Sequence, residues 1–228
     1  MLDLLRRVRG IFLKLPSTEV VEVIAASGLD FGIVDLEHSS LSEADAFRLL
    51  GHARLLGFPV LVRLPEIDKG LVNRLLEAGA AGIQLSMVRR AAQITELRAA
   101  CRYAPHGRRS ISLGHAAAAF GRRSLGDYLA SQGEGPLVVA QIETAATDEP
   151  LDAVLAARPD VVFVGRTDLT ADLELDEGRV LVRVEEIAAA AERAGVPLGA
   201  VAMDDPRVRY YVVGADLGLL AKAVAAAG

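Results

Sequence analysis

The chain has 228 residues, 52% of them hydrophobic and 4% aromatic, with no tryptophan and a formal net charge of −5. That length suits one aliphatic-cored domain burying roughly three quarters of its unfolded surface, and the acidity excludes non-specific attraction to nucleic acid or acidic membranes. Cys101 is the single cysteine, which excludes an internal disulfide; with no bilayer-length apolar run and no secretory pattern in MLDLLRRVRG, the chain reads as a soluble cytoplasmic protein.

Read in chain order, short apolar runs alternate with helical stretches. GIFLKL (10–15) leads through LPSTE into STEVVEVIAASG, with Ser17 as the helix cap and Gly28 as the stop. FGIVDL (31–36) is followed by SEADAFRLLGHARLLG, capped by Ser42 and closed by Gly57. PVLVRL (59–64) precedes DKGLVNRLLEAGA, and GIQLSM (82–87) precedes RRAAQITELRAACRYA. Residues 104–136, rich in glycine and arginine, break the rhythm and read as a long excursion after the fourth βα unit, with a weak central helix. LVVAQIE (137–143), VVFVG (161–165) and PLGAVAM (197–203) are the fifth to seventh strands, with VRVEEIAAAAERAG ending at Gly195 before the last of them. In the preferred register DPRVRYYVVG (205–214) is a helix, Asp205 capping it and Pro206 opening it, and ADLGLL (215–220) is the eighth strand. The alternative makes YYVVG the strand and DLGLLAKAVAAA the final helix.

Apolar strands alternating with helices predict a parallel sheet covered by helices. Seven clear units and a weaker eighth predict a single (β/α)8 TIM barrel over residues 1–228, with a shortened C-terminal helix. A doubly wound open sheet is the runner-up, and no G-x-G-x-x-G follows a strand to support it. In a parallel barrel the carboxyl ends of the strands build the active site. Here those ends carry Asp35, Glu37 and His38, then Arg63, then Gln141 and Glu143, then Asp168. Glu143 and Asp168, from separate strands, suit one hard divalent cation with open positions for water or substrate. Asp35 and Glu37 are expected to hold waters around that ion, His38 to act as a base, and Arg63 to offer a fixed fork to a carboxylate or an enolate. His52, His106 and His115 have no such company and read as structural or loop residues.

The segments GLDFGIVDLEHSS, VLVRLPE, LLEAGAAGIQLSMV, RYAPHGRRS, VVAQIETAA and VFVGRTDLT occur in an order that resembles the HpcH/HpaI aldolases, the metal-dependent class II pyruvate aldolases, over about residues 10–215. The resemblance implies Glu143 and Asp168 as metal ligands, His38 as the catalytic histidine, Arg63 as the stabiliser of pyruvate enolate, and Glu77 as an acid paired with the histidine. It places Gln141 near the keto acid and Gly165, Arg166 and Thr167 beside its carboxylate. The implied reaction is reversible aldol cleavage of a 4-hydroxy-2-oxo acid to pyruvate and an aldehyde. The implied cofactor is Mg²⁺, Mn²⁺ or Co²⁺ with no organic cofactor, and the implied assembly is a homo-oligomer acting on small molecules, without nucleic acid or membrane. The alternatives are a related carbon–carbon lyase or condensing enzyme, of citrate-synthase or malyl/citryl-thioester-lyase type, and a catalytically inactive keto-acid-binding relative.

Two departures from the family pattern stand out: Arg166 replaces the usual proline after Gly165, and Ser86 replaces a strand-end proline. The three lysines, Lys14, Lys69 and Lys222, include one on a strand, Lys14, so a Schiff-base mechanism has little to work with.

Overall fold

The computed structural model describes residues 2–133 and 135–228. Eight parallel strands close into a barrel in sequence order: β1 Val8–Leu13, β2 Phe31–Asp35, β3 Val60–Leu64, β4 Gly82–Leu85, β5 Leu137–Ile142, β6 Val161–Val164, β7 Leu198–Val201 and β8 Val208–Ala215. Around them run α1 Thr18–Ala26, α2 Glu43–Leu55, α3 Lys69–Ala78, α4 Ala91–Cys101, α5 Leu125–Ala130, α6 Leu151–Leu155, α7 Arg166–Asp172, α8 Glu177–Ala194 and α9 Asp216–Ala227. The barrel predicted from the alternating pattern is therefore the fold. Among the described residues no helix is long and apolar enough to cross a membrane.

Every residue of β2, β3, β4, β5 and β6 is buried, as a sheet covered on both faces requires. Alternate side chains point to opposite faces, so each strand serves two cores. One core lies between barrel and helices and includes Val34, Val62, Ile83, Val138, Ile142 and Val164. The other fills the barrel and includes Phe12, Phe31, Ile33, Leu61, Val139, Phe163 and Tyr210. There Phe31 lies against Tyr210 with ring centroids 4.3 Å apart, and Phe163 meets Phe12 and Tyr210 edge-on.

The helix caps read at Ser17 and Ser42 hold. The Ser17 hydroxyl accepts from the Val20 N–H, and Ser42 forms a reciprocal capping box with Asp45. The excursion after α4 holds a 3₁₀ turn, Ala116–Gly121, and α5, whose Tyr128 is buried and shares a 2.9 Å hydroxyl–hydroxyl hydrogen bond with Tyr103.

The preferred reading of the C-terminus is corrected. Residues 208–215 are the eighth strand and 216–227 the last helix, so the alternative register is the one adopted. No helix separates β7 from β8. A four-residue strand needs a return of only about 13 Å, and six residues, 202–207, reach about 20 Å. Asp205, which looks like a helix cap, instead accepts from the backbone N–H and the guanidinium of Arg207, and Arg207 also clasps Glu185 on α8. The aromatic and β-branched run VRYYVV then pairs with β7 on one side and β1 on the other.

Candidate active site

The alternation that fills the barrel with Phe31, Ile33, Leu61, Val139 and Phe163 carries polar side chains to its carboxyl end. Asp35 follows Ile33 by two residues, Arg63 follows Leu61, Gln141 and Glu143 follow Val139, and Lys14 follows Phe12. Asp35 and Arg63 are register partners on β2 and β3. The Arg63 guanidinium donates from Nε to Asp35 Oδ1 at 2.8 Å and from Nη2 to Oδ2 at 2.6 Å, a two-pronged pair that fixes both side chains. Lys14 Nζ lies 3.0 Å from Asp35 Oδ2 and donates to the His38 carbonyl at 2.9 Å, while the N–H groups of Glu37 and His38 donate to Asp35 Oδ1. Burial alone would raise the Asp35 pKa; the Arg63 pair, Lys14 and the His38 N–H more than offset it and hold the carboxyl at about 2. Beneath, the Phe12 ring forms the floor, 4.6 Å from the Arg63 guanidinium carbon. Among the described residues Arg63 Nη1 has no hydrogen-bond acceptor, so donor capacity remains for a ligand.

Glu37 turns into the same mouth. Its Oε2 accepts from the Ser86 hydroxyl at 2.5 Å and lies 3.4 Å from Arg63 Nε and 3.7 Å from His38 Nε2. His38 itself is exposed at the rim.

Glu143, 2% exposed, is held at both oxygens. The Met87 N–H donates to Oε1 at 2.8 Å, and Gln141 Nε2 donates to Oε2 at 2.5 Å. Gln84 Nε2 in turn donates to Gln141 Oε1 at 2.6 Å. Met87 adopts a left-handed backbone, φ 53, which aims that N–H inward. Burial pushes the Glu143 carboxyl above its ordinary range, with the charges of Asp168 and Glu37 adding to it against the two donors. Asp168, the third residue of α7, is half-buried. Among the described residues neither Glu143 nor Asp168 is paired with a lysine, arginine or histidine. Gly165 makes the room: a Cβ there would overlap Glu143 Oε2 and Cβ, at an ordinary φ of −86, so the need is for space and not for conformation.

Not every expected residue joins this group. Glu77 lies near the end of α3, about 12 Å along the helix from its start at the rim. Its carboxylate accepts from Asn73 Nδ2, and it makes no ion pair with His38. Arg166 is directed to Glu177 at 2.7 Å, and the Gly165 N–H is bonded to the Ile142 carbonyl. Thr167 is exposed at the first turn of α7, where N–H groups lack intrahelical acceptors. Gln141 has both ends of its amide engaged, by Gln84 and Glu143. The sequence reading missed Gln84, Ser86 and Met87 as members, and it treated Lys14 only as a strand lysine. A signal for Gln84 was present: it is the polar residue of GIQL, in register with Arg63.

No three His, Cys, Asp or Glu side chains among the described residues gather closely enough to cage a metal. What the site offers instead is two carboxylates and an uncompensated negative charge, with Gly165 leaving the room that Glu143 fills. That donor set fits a hard divalent cation that keeps several positions for water and substrate.

A closed parallel barrel with carboxylates, a histidine and a clamped arginine at its carboxyl mouth has the architecture of a barrel enzyme. The chain belongs to the HpcH/HpaI aldolase/citrate lyase family, which matches residues 9–220. It is 31% identical over 218 residues, 88% of this chain and 83% of that protein, to the hydroxypyruvate/pyruvate aldolase of Roseovarius nubinhibens. It is 28% identical to the 2-keto-3-deoxy-L-rhamnonate aldolase of Salmonella schwarzengrund, covering 94% of this chain and 85% of that one. The crystal structure of the HpcH/HpaI aldolase from Desulfitobacterium hafniense superposes with a TM-score of 0.88 at 27% identity, covering 97% of this chain and 91% of that chain. The protein is accordingly a carbon–carbon lyase of the class II aldolase type.

Proposed function

We propose that this aldolase cleaves a 4-hydroxy-2-oxo acid to pyruvate and an aldehyde, and runs the condensation in reverse, with Glu143 and Asp168 holding Mg²⁺, Mn²⁺ or Co²⁺. The observation that carries the reading is the buried Glu143 carboxylate: it senses the charge of Asp168, has no cationic partner among the described residues, and lies beside Gly165. When bound, the divalent ion supplies a Lewis acid for the 2-oxo group.

The chain's own residues do the rest. His38, at the rim, accepts the proton of the substrate's 4-hydroxyl as the C3–C4 bond breaks. The bond's electron pair moves into the enolate of pyruvate, the aldehyde leaves, and a proton from solvent taken up at C3 completes pyruvate. The Arg63 guanidinium faces the enolate oxygen, its plane already fixed by Asp35, so no reorganisation is needed as the charge develops. The N–H groups of Arg166 and Thr167 receive the carboxylate of the keto acid. Gln84 and Gln141 hold Glu143 in place, and Ser86 holds Glu37 next to Arg63 and His38. Glu77 has no part in this scheme within one chain. The exposed Leu217, Leu219, Leu220 and Val224 of α9 support a homo-oligomer.

The test is aldol turnover with pyruvate and a panel of aldehydes in Mn²⁺, run beside exchange of the pyruvate methyl protons. Glu143→Ala is expected to lose both metal and turnover. His38→Ala is expected to keep the metal and lose about 10²- to 10⁴-fold in cleavage. Turnover unchanged in both variants overturns the assignment.

A further inference from the structure

The peptide group joining Thr144 to Ala145 is gripped at both ends by side chains from two different helices. Its carbonyl accepts from Arg183 Nε at 3.2 Å, and its N–H donates to Asp172 Oδ2 at 2.6 Å. Arg183 comes from α8, is 9% exposed, and is braced by Glu186 at 2.8 Å. Asp172 ends α7, the helix on which Asp168 stands four residues earlier. Residues four apart share one helix face, so the face that hooks Ala145 also presents Asp168. On the strand side, a single residue, Thr144, lies between Glu143 and the gripped peptide. Thr144 Oγ1 closes the turn onto the Ala146 carbonyl at 2.8 Å.

We infer that Asp172 and Arg183 are positioning residues which, by clamping the Thr144–Ala145 peptide, set the separation of the Glu143 and Asp168 carboxylates. The inference rests on the metal-site reading proposed above. The bound peptide cannot rotate about its own axis without breaking one of the two hydrogen bonds. Glu143 therefore enters the mouth at one height, and α7 is tied to the same peptide that fixes it. Neither Asp172 nor Arg183 is among the residues proposed above to hold the ion or the keto acid. Asp172 is exposed, so its loss removes a constraint and leaves the core intact.

The test measures Mn²⁺ affinity by electron paramagnetic resonance and amide exchange at Ala145 by NMR in the metal-free protein. Native chain, Glu143→Gln, Asp172→Ala, Asp172→Asn and Arg183→Lys are compared, with melting temperature recorded for each. Asp172→Ala is expected to weaken Mn²⁺ binding about 10-fold or more and to speed exchange at Ala145 with little change in melting. Asp172→Asn keeps an oxygen acceptor and is expected to stay within about 3-fold of native on both readouts, since a neutral amide still accepts the N–H. Arg183→Lys, a point donor in place of a fork, falls between. Native-like Mn²⁺ affinity in Asp172→Ala overturns the inference, and so does equal weakening in Asp172→Asn, which would make charge and not the clamp responsible. Mn²⁺ bound equally by native chain and Glu143→Gln would instead sink the underlying metal-site reading.

Discussion

At the scale of single residues, the site is organised by what each side chain excludes. Gly165 is glycine because Glu143 occupies the place of its missing Cβ. Gly165→Ala is expected to fold and to lose about 100-fold in kcat/KM, since a displacement of order 1 Å at a reacting constellation has that effect; circular dichroism and steady-state rates check it. Asp35 is the opposite case, a buried carboxylate surrounded by donors and held at about 2. Because its folded pKa lies below the unfolded value of about 3.9, its contribution is complete above about pH 4 and is lost as pH falls toward 2. Urea denaturation of native chain and Asp35→Asn should differ by roughly 2 kcal/mol at pH 7, with the gap closing below pH 4. A gap that widens in acid would contradict the assignment of Asp35 as the anchor of Arg63. These residues were partly legible. The acidic and basic strand ends declared themselves as titratable groups following apolar runs. What Asp35 does was not legible, because the sequence gives no sign that Arg63 and Lys14 both turn toward it. Glu77 stands apart from His38 within one chain; a short motif fixes a residue's neighbours along the chain and says nothing of which end of a helix faces the mouth.

At the scale of elements, strands were legible wherever burial on both faces made them continuously apolar, as in VLVRL and LVVAQI. The eighth was misread because its strongest local signals, Asp205 and Pro206, imitate a helix start. The strand is decided by its two partners, β7 and β1, and pairing of that range leaves no mark in a local window. The last helix depends on Asp216, buried at 6% exposure, whose carboxylate accepts from the backbone N–H groups of Lys14, Leu15 and Leu217. Asp216 thus ties α9 to Lys14 and Leu15, the two residues that follow β1. Asp216→Ala leaves those donors unsatisfied and is expected to cost about 1–3 kcal/mol, with faster hydrogen exchange through residues 216–227. Unchanged exchange in that segment would show that α9 is held by other contacts.

At the scale of the whole molecule, the barrel divides labour along its axis. Aromatic and aliphatic side chains fill the interior up to Phe12, and charged ones begin one layer above, on the side where all eight strands end. The packed interior therefore lies beneath the charged mouth, to which the Asp35–Arg63 pair adds its own stability. Lys14, read as a strand lysine, follows directly on β1 and is held by Asp35 and the His38 carbonyl, an arrangement suited to an ion-pair partner of the site. The claim on which all of this rests is that Glu143 and Asp168 share one divalent ion. The direct measurement is an anomalous difference map from crystals grown with Mn²⁺ and pyruvate. The account predicts a single strong peak at the mouth within bonding distance of a carboxylate oxygen from each residue, absent in Glu143→Gln. Crystals that hold Mn²⁺ elsewhere on the chain while that mouth stays empty would contradict it.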